Sequence, residues 1–248
     1  MKNIFIILLF PLITFGQNEI FFSEYGEGNS FNKWVEIYNP TSQSIFLDNY
    51  RYNFCWNGCD SLLWEFSIPF DSGYVLMPGN TYLLVHYAAD SALLNLANQT
   101  TNLMSNGNDV IGLLDYSQNI IIDIIGVFDS TTISNGWDID GVISATKDHT
   151  IFRKDDICKG NYGNWSLSDG SFSPSEWTIS TEDDFSNLSD HSSNCLTSSV
   201  KNNTLSSTKK LLKVTNILGK QVINTVNNYQ IKLYIYDNGY VEKKILFK

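Results

Sequence analysis

Charge is scarce in this chain: Asp, Glu, Lys and Arg make up 17% of its 248 residues. Asparagine, serine and threonine supply much of the surface that charge would supply in a cytosolic protein. Basic charge is scarcer still, with 16 Lys and Arg against 26 Asp and Glu, a net charge of −10. The lysine-rich stretches are Lys209-Lys210 and Lys243-Lys244, both near the C-terminus. A phosphate backbone is repelled by such a balance, so the main domain is not expected to bind nucleic acid. Histidine is limited to His86, His149 and His191, with no second ligand at a fixed spacing such as His-x-x-x-His. A Gly-Lys-Ser/Thr phosphate loop and a Gly-x-Ser-x-Gly elbow are also missing. The expectation is therefore no catalytic residue, no cofactor, no metal and no enzymatic activity.

Long hydrophobic runs are short in supply too. Residues 120–127 come closest in the body of the chain, and Asp123 interrupts them. The apolar run 4–15 follows Lys2 and precedes Gly16-Gln17. A positive n-region, a short h-region and a small residue, in that order, read as a secretory signal over 1–16. The run is too short to span a bilayer comfortably. Four cysteines, an even number in an exported chain, suggest disulfides rather than zinc. Three connectivities are possible. Locality favours Cys55 with Cys59, around the turn-like Trp56-Asn57-Gly58, and Cys158 with Cys195.

What is present is core-forming: 43% hydrophobic and 14% aromatic residues. The segment Asn32-Lys-Trp-Val-Glu-Ile-Tyr-Asn-Pro-Thr41 puts Trp34, Glu36 and Tyr38 on one side of a strand and Val35 and Ile37 on the other. Asn39 and Pro40 then turn the chain, and residues 45–47 resume as a second strand. Further strands are predicted at 19–25, 50–54, 62–66 with Ile68, 81–87, 110–114 and 120–127, bounded by turns such as Pro78-Gly79-Asn80 and Ser105-Asn-Gly-Asn-Asp109. Residues 88–96 read as a short helix capped by Asp90 or Ser91. In the looser stretch 128–195, residues 139–142 and 150–153 look like short strands. A proline-entered strand at 173–180 carries Trp177 toward the core. Short strands with frequent turns mean an all-β sandwich. Residues 17–195 form that sandwich with its C-terminal extension, 196–208 a polar linker, and 209–248 a small terminal β module.

Two parts of the chain resemble known families. Ile20-Phe-Phe-Ser-Glu-Tyr25, Trp34-Val-Glu-Ile-Tyr-Asn-Pro-Thr41, Leu47-Asp48, Pro78-Gly79, Tyr82-Leu-Leu-Val85 and Gly107-Asn-Asp-Val-Ile-Gly-Leu113 are similar to the lamin-tail domain. That resemblance implies an immunoglobulin-like β-sandwich. Thr150-Ile-Phe-Arg-Lys154, Pro174-Ser-Glu-Trp177 and residues 184–191 look like the extension that closes this domain in bacterial surface proteins and extracellular nucleases. The tail, with Leu211-Leu-Lys-Val-Thr-Asn-Ile-Leu-Gly219 and Leu233-Tyr-Ile-Tyr-Asp-Asn-Gly239, resembles the C-terminal sorting signal of Bacteroidota type IX secretion. It implies a Gram-negative source, the secretion machinery as a partner, and a secreted or outer-surface destination with membrane contact only through surface attachment.

Within the sandwich, Glu24 and Glu36 are a possible carboxylate pair, as in glycoside hydrolysis. Carboxylates that pin neighbouring loops are the favoured reading. Asp138, Asp140 and Glu182-Asp183-Asp184 offer oxygen ligands for Ca²⁺, although the Asp-x-Asp-x-Asp-Gly loop breaks off early; a solvated acidic face is preferred. Trp56, Trp64, Trp137 and Tyr162 would stack on sugars if exposed. The expected function is adhesion or binding, to carbohydrate, a surface protein or matrix, through loops at one end of the sandwich. A nuclease- or hydrolase-associated accessory role and a structural surface or matrix role are the alternatives.

Overall fold

The computed structural model describes residues 19–59, 62–129, 132–195, 211–216, 230–236 and 241–246. The expected signal segment and polar linker lie outside the described residues. The chain divides into two compact units, Met1–Ser199 and Val200–Lys248. The fold is all-β, an immunoglobulin-like sandwich.

In the first unit the strands are β1 (Phe21–Glu27), β2 (Lys33–Tyr38), β3 (Ile45–Phe46), β4 (Tyr50–Cys55), β5 (Phe66–Pro69), β6 (Val75–Leu76) and β7 (Thr81–His86). One helical turn, α1 (Ser91–Leu94), precedes β8 (Gln99–Thr101), β9 (Val110–Asp115), β10 (Ile120–Ile125), β11 (Thr150–Arg153) and β12 (Trp177–Ser180). Sheet one runs β12-β11-β1-β2-β7-β8 and sheet two β10-β9-β4-β5. All neighbours are antiparallel except β7 and β8, which are parallel. The second unit contains an antiparallel meander of β13 (Leu211–Asn216), β14 (Gln230–Tyr236) and β15 (Val241–Leu246).

The alternation read in the sequence holds through sheet one. Val35, Ile37, Tyr82 and Leu84 face the core between the sheets, against Tyr52, Phe54, Ile111 and Leu113 of sheet two. Trp34, Leu83 and Val85 face outward, yet they are covered by Ala89, Leu93, Phe185 and Leu188 from the segments after β7 and β12. The central strands of sheet one are thus buried on both faces, and all seven residues of β1 are buried. A bulge between Phe22 and Glu24 brings Ser23 and Glu24 to the outer face together, as an extra residue in one strand does. Asn39 organises the predicted turn: its Nδ2 donates to the Gln43 and Leu76 carbonyls, and its Oδ1 accepts from the Thr41 N–H.

Several expectations need correction. The strand expected at 62–66 with Ile68 lies at Phe66–Pro69, after a left-handed Leu62 (φ 54°). Pro69 stands inside it because β5 is an edge strand, where a missing donor costs nothing. Residues 139–142 are no strand: Asp140 (φ 52°) and Gly141 (φ 80°) form a tight turn closed by an Ile139–Val142 bridge. The helix expected over 88–96 is the single turn Ser91–Leu94, and Asp90 makes no capping bond. Its carboxylate is engaged by Asn32 instead. The parallel edge strand β8 carried no sequence signal.

Both disulfides pair as locality suggested, Cys55 with Cys59 and Cys158 with Cys195. The second closes a separation of 37 residues around β12, a length at which cross-linking contributes about 3–4 kcal/mol in the chain-entropy account. A fully buried ion pair joins the sheets: Arg153 of β11 reaches Asp123 of β10 at 2.8 Å. Arg153 also meets Glu176 at 2.7 Å and lies 4.3 Å over the Trp177 ring. Asp123 takes further hydrogen bonds from the Phe22 and Asn161 N–H groups.

Candidate functional site

Strand directions bring one set of loops together. β1 ends at Glu27 where β2 begins at Lys33, β7 ends at His86, β8 at Thr101 and β4 at Cys55, while β9 starts at Val110 and β11 at Thr150. The loops 28–32, 56–59, 62–65, 87–90, 102–109 and 181–183, with the end of 132–149, therefore share one end of the sandwich. They are rich in Gly, Asn and Ser: Gly28-Asn-Ser-Phe-Asn32, Trp56-Asn-Gly58, Ser105-Asn-Gly-Asn108.

Buried polar groups lock these loops to each other. The Asp109 carboxylate accepts from the Asn57 N–H at 2.7 Å and the Asn106 N–H at 2.6 Å. Burial pushes its pKa up to about 6, against the lowering effect of those two donors. Glu27 takes Lys33 at 3.0 Å through one oxygen and the Asp148 N–H at 3.2 Å through the other. Trp137 donates to the Asp109 carbonyl at 2.8 Å, and Thr146 donates to the Gly107 carbonyl at 2.6 Å. Asp183 Oδ1 accepts from the Asn29 N–H and Asn32 Nδ2. No Cβ fits at Gly28 or Gly107, which would bring one within 2.0 Å of Asp183 and 2.4 Å of Lys147 respectively. The result is an interlocked rim.

Aromatic rings stand out from that rim. Phe31 is 51% exposed, Trp56 49% and Tyr87 60%. Of the four aromatics singled out from the sequence, only Trp56 lies here and is exposed; it packs 4.5 Å from Phe66. Trp137 is a buried loop strut. Trp64 is half-buried, 4.5 Å from Phe128 and over Gly112. Tyr162 is exposed but lies along β10, its N–H on the Ile122 carbonyl. Sequence reasoning missed Phe31 and Tyr87. For Phe31 the available signal was a large apolar residue set inside a Gly-Asn-Ser loop; Tyr87 reads as the end of a strand.

The three histidines have separate surroundings. His86 lies under Phe31 at this end, and its Nδ1 accepts the Ala88 N–H. His149 is half-buried there, Nδ1 against the Lys147 carbonyl. His191 is buried between Phe21 and Tyr38 elsewhere, and desolvation pushes it down to about 4.

Glu24 and Glu36 do converge, as cross-strand partners of β1 and β2 with no exposed surface. Trp34 Nε1 and Asn187 Nδ2 donate to Glu24, while Ser23 Oγ and the Ser189 N–H donate to Glu36. Two carboxyls thereby hold the 184–191 strap onto sheet one. Burial, with Glu36 alongside, pushes Glu24 up to about 8. The acidic candidates are also engaged locally: Asp138 accepts the Ser144 N–H, and Asp184 takes Ser180 Oγ and the Ser186 N–H. Among the described residues, no three His, Cys, Asp or Glu side chains gather as metal ligands.

Residues 14–129 match the family model described as Lamin Tail Domain. The match covers sheet two and the β1, β2, β7 and β8 part of sheet one. β11 and β12, from the extension, complete sheet one beyond it. No curated protein and no solved structure is significantly similar to the chain.

Proposed function

We propose that this chain is an exported, non-enzymatic binding protein whose sandwich presents the interlocked loop end to a carbohydrate or a surface or matrix protein. The observation that carries the reading is the hydrogen-bonded interlocking of the loops beneath Phe31, Trp56 and Tyr87. Fixed aromatics among small polar residues give contact area at low entropic cost, as paratopes do. The two disulfides are consistent with an oxidising, extracytoplasmic compartment. The antiparallel meander of the second unit supports reading the tail as a type IX sorting module, with a Gram-negative outer surface or medium as destination.

Arrays of glycans and matrix proteins probed with the full chain test this. Binding should fall at least about tenfold in a Phe31→Ala/Trp56→Ala/Tyr87→Ala variant, with circular dichroism and thermal unfolding little changed. Metal-dependent turnover of nucleic acid or glycan by the purified chain would overturn the non-enzymatic reading.

A further inference from the structure

Phe31 is half exposed in a loop that is otherwise tied down. The Gly28 N–H donates to the Asn32 carbonyl at 2.7 Å, the Asn32 N–H to the Asn29 carbonyl at 3.0 Å, and Asn32 Nδ2 bridges Asp90 and Asp183, each at 3.0 Å. The Phe31 ring lies flat on the His86 imidazole, centroids 4.8 Å apart and planes 13° apart. Tyr87 extends the surface, 5.0 Å from His86 with planes 34° apart. One face of Phe31 is thus fixed against a rigid partner and the other is open to solvent.

Asp90 and Asp183 stand on the flank of this platform, held by Asn32 and, among the described residues, in no ion pair. Lys33, the cation that follows the loop, is already paired with Glu27 at 3.0 Å. The Ala88 N–H on Nδ1 leaves the His86 proton on Nε2, and burial, with Lys33 nearby, lowers its pKa, so the platform itself stays neutral at neutral pH.

We propose that Phe31, His86 and Tyr87, flanked by Asp90 and Asp183, dock an arginine- or lysine-bearing segment of a partner protein. This rests on the binding reading above and names the partner's chemistry. A cation over an aromatic face is attracted by the ring quadrupole. Carboxylates at the rim steer that cation in and fix its register. A neutral sugar would use the same stacking face without drawing on those carboxylates. A phosphate-bearing ligand meets repulsion from a chain of net charge −10.

The test is fluorescence anisotropy of a labelled arginine–glycine repeat peptide with the full chain, in about 50 mM and about 300 mM NaCl. Binding should weaken in the higher salt. Phe31→Leu keeps the apolar bulk but not the ring and should weaken binding about 3- to 10-fold, whereas Phe31→Tyr should retain it. Asp90→Asn keeps the acceptor for Asn32 and should cost about twofold or more. No binding in the lower salt, or unchanged affinity in Phe31→Leu, overturns the proposal. So does an equal loss from the distant pair Asp155→Asn/Asp156→Asn, or salt-independent displacement of the peptide by a neutral oligosaccharide. If array binding survives Phe31→Leu but is lost in Trp56→Ala, the binding reading stands and this docking assignment falls.

Discussion

Replacing Arg153 by methionine is expected to lower the melting temperature of the sandwich by about 10 °C. The guanidinium has no exposed surface, and neither has its partner Asp123. Methionine fills much of the volume and leaves the Asp123 carboxylate buried without its cation, which costs about 3–5 kcal/mol. For a unit of this size each kcal/mol moves the midpoint by about 2–4 °C. The loss also frees Glu176 and uncovers the Trp177 face on which Arg153 lies. Since Asp123 sits on sheet two and Arg153 on sheet one, the pair is a rivet between layers. Removing both charges in Asp123→Asn/Arg153→Met should recover part of the loss, because the penalty belongs to the stranded charge. Thermal unfolding followed by circular dichroism decides it; a fall of under about 1 kcal/mol for the single variant would mean that the pair is idle.

Glu24→Gln is expected to make the protein more stable than the parent at alkaline pH and nearly equal to it at acid pH. Burial and the neighbouring Glu36 raise Glu24 in the fold to about 8 from an ordinary value of 4.5. A group raised in the folded state favours folding most below its unfolded pKa. That contribution is lost progressively as pH rises through the window from 4.5 to about 8. Each unit is worth about 1.4 kcal/mol, so the loss across the window amounts to a few kcal/mol. Glutamine resembles the neutral acid: its carbonyl still accepts the Trp34 indole N–H, and it carries no charge to desolvate. The midpoint difference between variant and parent should therefore widen by about 5–10 °C between pH 5 and pH 9. A constant offset across that range would show that Glu24 is already ionised in the fold.

How much of this was legible in the sequence depended on whether the signal was local. The Trp34 to Pro40 strand and turn could be read because alternation and Asn-Pro chemistry lie within a few residues. The bulge at Ser23 could not, because it is defined by the register with β2. Pro69 sits within a strand because that strand is an edge, a distinction that only sheet order makes. The helix expected over 88–96 shrank to one turn because Ala89 and Leu93 cap the outer face of sheet one rather than extend along it. In the site, Trp56, Trp64 and Trp137 were singled out alike, as aromatics that would stack on a sugar if exposed. Trp56 is exposed while Trp137 and Trp64 brace loops, since a tryptophan's exposure is set by distant segments that pack on it. Phe31 was missed although its Gly-Asn-Ser loop marks it, because the loop was read only as a turn, and Tyr87 because it reads as the last residue of the strand expected at 81–87.

Hydrogen–deuterium exchange at single-residue resolution addresses the rigidity of the loop end directly. The amides of Asn57 and Asn106 on Asp109, of Asp148 on Glu27 and of Asn29 on Asp183 should be protected to a degree approaching the neighbouring strands, and the first two should lose that protection in Asp109→Ala. Exchange of these four amides at the rate of an unstructured chain, in an otherwise folded protein, would contradict a pre-organised binding surface.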